Sequence, residues 1–479
     1  MPVRGYPGGV SELVVMKFGG TSVEDAAAIR RLIGIVEGRP SAQQIIVVSA
    51  LARVTDQLLQ AGREAARGHL GSALAAVRNI YVRHEQLSDS VSEGSADGTL
   101  DRVLRSAFQA LEDLLHDIKA AGQLNLKMQD QLLGYGECFS ARLITDALRH
   151  AAIDAVHVDA RNCIVTDARY GQANPIWTVT NQRIQESLAP HLDAGRIPVL
   201  GGFIASTSEG IPTTLGRGGS DFSAAILGAA LHACRVEIWT DVDGVMTADP
   251  NLCPDARVIR KMTFEEAAEL AHFGAKVLHP ATLAPAMREN ISMYVLNSRR
   301  PEGSGTEIKA EAKSEDAVVS AITAKRDVSA VEIEAARGID ATLLDAVFSA
   351  FEQQACSVDV MSTSMGRMYL LVGPDADLPK IAAELSGIAK VQWESRRALV
   401  CVVGEDLRRR TDVASKAFAA VSDMNVRVLC QSASDRTISF LVDESKVEET
   451  VQRLHSLFFP KADTGRDWGG LSAAFCQAG

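Results

Sequence analysis

A chain of 479 residues is longer than one hydrophobic core supports, and 47% hydrophobic with 23% charged residues is the balance of a globular protein, not a disordered one. Forty-nine basic against sixty acidic residues leave a formal charge of -11. That excludes a broad basic face for nucleic acid or an anionic membrane and leaves only local basic pockets.

The eight cysteines are scattered without a Cys-x-x-Cys pair, so neither a disulfide framework nor a zinc site is signalled. The longest apolar run, Phe222–Ala233, is far below the roughly 18 residues of a membrane span. Met1–Ser11 has no apolar signal-peptide core. A reduced, cytoplasmic protein is expected.

In chain order, the first element is the apolar run Val14–Phe18, followed by Lys17-Phe18-Gly19-Gly20-Thr21-Ser22-Val23 and a helix from about Glu24. Glycines at the carboxyl end of a parallel strand let backbone N–H groups approach a phosphate, and a lysine there neutralises a transferring phosphoryl group. The competing explanation is a tight turn capped by Ser22 with Lys17 on the surface. No P-loop spacing occurs anywhere. Ile29, Leu32, Ile33 and Val36 keep helical periodicity, and Ile45–Val48 reads as the second buried strand.

Leu70–Leu124 lacks strand signals and reads as helical hairpins. Next comes Leu133-Gly134-Tyr135-Gly136-Glu137. On a helix, Glu137 shares its face with Leu133, Ala141 and Ile144, where an unpaired carboxylate is costly. A structural ion pair and a substrate amino group satisfy it equally well.

Ile197–Leu200 is a further strand, and Thr213–Asp221 places Arg217 among three glycines before the small-residue helix Phe222–Ala233. Ser220 or Asp221 caps that helix, and Arg217 offers a fork for a carboxylate or phosphate. Val236–Trp239 leads into Thr240-Asp241-Val242-Asp243-Gly244, a turn outside the carboxyl end of a strand. Phe273–Pro280 carries a second lysine, Lys276, and Met293–Leu296 is a final strand. His272 and His279 read as structural. The alternation implies an α/β fold, a mainly parallel sheet sandwiched by helices.

Beyond a polar linker the chain repeats itself. Ser357–Val360 answers Asn425–Val428, and Met368–Val372 answers Ile438–Val442, each within a β-α-β-β-α-β unit of roughly 70 residues. The expected boundaries are 12–308 for the α/β domain, 309–318 for the linker, and 319–396 and 397–471 for two α+β (ferredoxin-like) domains.

Lys17–Val23, Thr214–Asp221, Trp239–Pro250 and Phe273–Pro280, in this order, resemble the aspartokinases of the amino acid kinase superfamily, over nearly the whole chain and most of all the monofunctional, lysine-sensitive type. The resemblance implies ATP- and Mg2+-dependent phosphorylation of the β-carboxylate of L-aspartate, the first step toward lysine, threonine and methionine. It makes the repeat a pair of ACT domains that bind an amino-acid effector, lysine or threonine. Carried over by motif, Lys17 and Asp221 are catalytic, the lysine binding the phosphoryl group and the aspartate orienting it. Arg217 takes the substrate's α-carboxylate and Glu137 its ammonium, with Ser49, Thr55 and Ser220 beside them. Lys17, Gly19, Gly20, Thr240, Asp241, Met246, Lys276 and Val277 bind the nucleotide. The effector falls to Ser357, Val358, Asp359, Thr363 and Ser364. The metal comes with ATP, no protein ligand being assigned, and a homodimer or homotetramer through the ACT domains is implied.

The chain departs from the family pattern at Met246 and Asn251, where an aromatic and an arginine are usual, and in Ser49-Ala50-Leu51-Ala52-Arg53, where a glycine is. Met365 replaces an acidic residue of the lysine-sensitive pattern. Two alternatives stand beside the leading one: a related kinase with another carboxylate acceptor, such as glutamate or acetylglutamate, and a non-catalytic amino-acid sensor.

Overall fold

The computed structural model describes residues 12–460 apart from 41, 92–98, 276–277, 312–317, 336–337, 355, 425 and 432–433. The chain divides into two compact units, one of 1–246 with 258–316 and one of 247–257 with 317–479.

The first unit opens with β1 (Leu13–Phe18), α1 (Ala26–Glu37) and β2 (Gln43–Val48), then the four helices α2 (Val54–Ala66), α3 (Leu70–Val91), α4 (Thr99–Ala121) and α5 (Leu126–His150). It continues through β3 (Ala155–His157), β4 (Val165–Thr166), α6 (Trp177–Asp193), β5 (Ile197–Gly201), β6 (Ile204–Thr207), β7 (Pro212–Thr214), α7 (Gly219–Ala230) and β8 (Arg235–Thr240). It ends with β9 (Lys261–Thr263), α8 (Phe264–His272), α9 (Pro280–Arg288), β10 (Ser292–Asn297) and β11 (Thr306–Lys309).

Eight strands form one sheet in the order β3-β5-β2-β1-β8-β10-β11-β9, parallel from β3 to β10, with β11 antiparallel to β10. β1 lies inside it, which explains the unbroken apolar run Val14-Val15-Met16: both faces are covered and all three are fully buried. The expected strands and the α3–α4 hairpin are all present. α1 is capped by Asp25, whose carboxylate accepts from Ala28 N at 2.7 Å, and not by Ser22, which is buried against Trp239 O and Ser298 Oγ. The short side sheet β4-β6-β7 carries the chain toward α7.

The second unit is built from β12 (Val319–Ala335), α10 (Ala341–Gln353), β13 (Val358–Ser364), β14 (Arg367–Val372), α11 (Leu378–Leu385), β15 (Ala389–Gly404), α12 (Thr411–Ala420), β16 (Arg427–Gln431), β17 (Thr437–Asp443) and α13 (Val447–Phe458). Six strands make one sheet, β13-β14-β12-β15-β17-β16. Its two cores are nested, not consecutive. Val331, Ile333, Val347, Leu370 and Ile381 share one; Val319 and Ile322 join Val400, Val402, Phe440 and Leu454 in the other. β12 and β15 pair along nearly their whole length, so each serves both cores, and the expected boundary at 396/397 does not divide the packing.

The uninterrupted domain expected over 12–308 is also corrected. Thr247–Arg257 belongs to the second unit: Ala248, Leu252 and Cys253 are buried in the core with Val319 and Val400, Ile322 N donates to Thr247 O at 2.7 Å, and Thr247 Oγ1 lies 2.9 Å from His455 Nε2. Most of the expected linker, and the end of the last expected domain, lie outside the described residues. No described helix is long and apolar enough to cross a membrane.

Candidate active site

At the carboxyl edge of the parallel strands lies a cavity of 290 Å³ lined by Lys17, Ser49, Thr55, Glu137, Ser220 and Asp221, with Phe203 and the glycines of the Arg217 loop. The predicted residues arrive on five elements, Ser220 and Asp221 together on α7. Lys17 is the penultimate residue of β1, Ser49 follows β2, Thr55 opens α2, and Glu137 projects from α5.

Lys17 is buried, and its Nζ lies 2.6 Å from Asp221 Oδ1. The expected cap role of Asp221 or Ser220 is therefore not realised. Gly218, at φ 71, caps α7 through its backbone alone, and a Cβ there would meet His279 at 2.7 Å. The freed Asp221 carboxylate fixes the lysine ammonium where Coulomb attraction is weakly screened. Arg217 stands exposed between Gly216 and Gly218 and has no ion-pair partner among the described residues. It does not line the cavity itself, but its neighbours on both sides do.

Glu137 is 4% exposed, and its Oε2 has no hydrogen-bond partner. Burial pushes its carboxyl up to about 8, against the pull of the Ala50 N–H and of Lys17 nearby. A buried carboxylate left half-satisfied in a polar cavity is an arrangement that an incoming cation completes.

The glycines after Lys17 act differently from expectation. Gly19 N is spent on Trp239 O at 2.9 Å, so it is not a free amide for a phosphate. Gly20 allows a close approach: a Cβ there would meet Ala50 O at 2.9 Å. Thr240 ends β8, whose Trp239 pairs in register with Phe18, and Asp241 follows it, so they share the sheet edge with Lys17 without lining the cavity. Met246 is half-buried and bridges to Val258, while Asn251 lies in the second unit. Lys276 and Val277 lie outside the described residues. His279 caps α9, its Nδ1 accepting from Ala281 N at 3.3 Å, which agrees with a structural role.

Two residues escaped sequence reasoning. Phe203 lines the cavity in a left-handed conformation, φ 65, just after β5. The signal was present in Gly201-Gly202-Phe203 at the carboxyl end of a parallel strand. Asp130 on α5 is buried, and its carboxylate accepts from Thr214 Oγ1 at 2.7 Å, Thr214 N at 3.1 Å and Gly171 N at 2.9 Å. It pins the end of β7, three residues before Arg217. Only the fold brings these groups together.

In the second unit, the predicted effector residues lie on or beside β13. Ser357, Thr363 and Ser364 are exposed, and Asp359 is paired with Lys325 Nζ at 2.6 Å.

Residues 12–297 match the amino acid kinase family, and residues 400–458 match the ACT domain. The chain is 34% identical to the lysine-sensitive aspartokinase 3 of Escherichia coli, over 94% of this chain and all of that one. It is 32% identical to the chloroplastic aspartokinase 3 of Arabidopsis thaliana, over 93% of this chain and 81% of the relative. Among solved structures, E. coli aspartokinase III in complex with aspartate and ADP superposes with a TM-score of 0.82 at 33% identity, covering 94% of this chain and 100% of that one. The same enzyme in complex with lysine and aspartate gives 0.77 over the same shares. The family suggested by four ordered motifs is the family found: the chain belongs to the amino acid kinases, and within them to the aspartokinases.

Proposed function

We propose that the 290 Å³ cavity binds L-aspartate beside the γ-phosphate of ATP and transfers that phosphoryl group to the β-carboxylate, giving 4-phospho-L-aspartate and ADP. One observation carries this: a buried, half-satisfied Glu137 shares the cavity with the Lys17–Asp221 pair, next to an unspent Arg217. Glu137 takes the α-ammonium and Arg217 the α-carboxylate, which leaves the β-carboxylate toward Lys17. Its oxygen attacks the γ-phosphorus, and the bond to the β–γ bridging oxygen breaks with its electron pair leaving on ADP. No proton need move, so the protein supplies position and charge cancellation, not a base. Asp221 holds the Lys17 ammonium where charge develops.

The magnesium that accompanies ATP neutralises part of the triphosphate charge. Thr240, Asp241, Met246, Lys276 and Val277 are proposed for the nucleotide, Ser49, Thr55 and Ser220 for aspartate. The effector, lysine or threonine, is assigned to Ser357–Asp359 with Thr363 and Ser364. The sheet edges β13 and β16 are proposed to join copies of the chain into a dimer or tetramer. Free thiols at Cys138, Cys163, Cys234 and Cys356 fit a reducing cytoplasm.

The test is trapping of the acyl phosphate by hydroxylamine with ATP and aspartate, glutamate or acetylglutamate offered separately. Hydroxamate is expected with aspartate. Its absence there, or its formation with another acceptor alone, overturns the assignment.

A further inference from the structure

A second cavity, of 570 Å³, opens on a different face of α5 from Glu137. Gln131, Tyr135, Cys138 and Arg142 recur along one stripe of that helix, and Arg102, Ser106 and Ala110 along one stripe of α4. It shares no lining residue with the substrate cavity, so a ligand bound here would not occupy the place proposed for aspartate.

Its charge is one-sided. Arg102, Arg142 and Arg161 line it, and no carboxylate does. Arg161 is held in place from behind by Asp159, which takes its Nε at 2.9 Å and its terminal nitrogen at 2.6 Å. Arg142 spends one N–H on Cys138 O at 3.3 Å, and neither it nor Arg102 has an ion-pair partner among the described residues. A smaller cavity of 190 Å³ shares Arg142 and Val103 and adds Arg149 and His157, with Asp146 as its one carboxylate. Burial holds the His157 imidazole down at about 4, and Arg142 adds to it while Asp159 opposes it. In a chain of net charge -11 this is a local reversal of sign.

The rest of the wall is neutral: Val103, Ala107 and Ala110, the Tyr135 ring, and the Cys138 thiol, which burial pushes up to about 11. The volume lies in the range of about 300–1,000 Å³ that metabolite-sized ligands fill. We propose that this cavity binds an organic anion, a carboxylate or phosphate on an apolar or aromatic body, with Arg102 and Arg142 gripping the anionic group and Tyr135 facing the body. The guanidinium fork suits both anions, and a bare ion leaves the neutral wall unused.

Calorimetric titration of the full chain with phenyl phosphate, benzoate and inorganic phosphate in turn tests it. Saturable binding of at least one aromatic anion is expected, weakened about tenfold or more by Arg142→Gln and by Arg102→Gln, the loss of one charge-assisted contact. Arg217→Gln should leave it within about twofold, which separates this cavity from the substrate site. Ser106→Glu, an exposed position at the wall, should weaken it as much without touching the arginines. The two aromatic arms tell phosphate from carboxylate, and inorganic phosphate should bind about tenfold more weakly than the better of them. No saturable binding up to about 10 mM, binding unaffected by all three cavity substitutions, or inorganic phosphate binding as tightly as the aromatic anions overturns the proposal.

Discussion

Lys17 reaches Asp221, and Lys325 reaches Asp359, at the same distance of 2.6 Å, one pair in each unit. Their surroundings differ. Beside the first pair an open cavity holds a carboxylate, Glu137, with one oxygen unsatisfied. Asp359, only 8% exposed at its side chain, already has an ammonium from its own chain. An ion pair alone is therefore weak evidence of a site; the unpaired group next to it is what asks for a ligand. In the second unit the chain's own lysine occupies the only carboxylate among the predicted effector residues. A lysine effector would have to compete with it.

The sharpest way to break this comparison is Lys17→Met. If Lys17 neutralises the transferring group, kcat should fall by at least about a thousandfold while the pair's loss leaves the fold intact by circular dichroism. A variant retaining a tenth of the rate would make Lys17–Asp221 as structural as its counterpart.

Glu137→Gln comes next. It should raise KM for aspartate by about a hundredfold with a smaller effect on kcat. Its carboxyl stands raised to about 8, so below that pH it is neutral and cannot pair with an ammonium. The wild-type kcat/KM for aspartate should climb as pH rises through about 8, and the glutamine variant should lose that limb. Stability carries the matching sign. The folded state holds the proton longer than the unfolded one, so the wild type should lose stability relative to Glu137→Gln as pH rises from the ordinary glutamate range to about 8. A pH-independent difference in thermal midpoint would mean that the Glu137 carboxyl is not raised in the folded state. Arg217→Ala should raise the aspartate KM by about tenfold to a hundredfold and leave the KM for ATP near its wild-type value. A selective change in the ATP constant would move Arg217 to the nucleotide.

The same two regions differ in how much of them is legible in the sequence. Lys17, Ser49, Thr55, Glu137, Ser220 and Asp221 line one cavity; Lys17 was legible at the end of an apolar strand, Glu137 on a helical stripe, and Ser220 and Asp221 after a glycine-rich loop, whereas Ser49 and Thr55 came only through the family resemblance. Asp130 was not legible, since its partner Thr214 is 84 residues away and no local pattern marks the pair. Phe203 was marked only by two glycines whose purpose, close packing against Ser220 and Glu137, needs the neighbouring helices to be seen. In the second unit the repeat was visible, but its nesting was not. A strand long enough to serve two cores, as β12 is, looks in sequence like one strand of one domain. Thr247–Arg257 left its flanking domain for the same reason: three apolar residues in a loop do not say which core they enter.

Lys325→Gln tests the occupied carboxylate. Freed of its partner, Asp359 should bind an effector ammonium more readily, and the lysine concentration giving half-inhibition should fall by about tenfold. An unchanged response to both lysine and threonine would remove Asp359 from the effector site.

The smallest expected effects come from two strained backbones, one in each region. Arg53, at φ 70, caps α2 two residues before Thr55 of the cavity, and Met365, at φ 43, precedes Gly366, at φ 82, in the β13–β14 turn. Two central residues with positive φ define the turn in which Asn-Gly is preferred, and a left-handed non-glycine residue costs about 1–2 kcal/mol. Met365→Asn and Arg53→Gly should therefore both raise the unfolding free energy, by about 0.5–1 kcal/mol in denaturant titration. Their kinetic effects should part. Met365 is fully exposed at a hairpin tip, so relieving its strain should leave the aspartate KM unchanged. Arg53 sets the entry of the helix that carries Thr55, and a glycine there loosens the wall it has just relaxed, so stability should rise while the aspartate KM rises with it. Equal kinetics in the two variants would mean that the strain at Arg53 serves the fold alone.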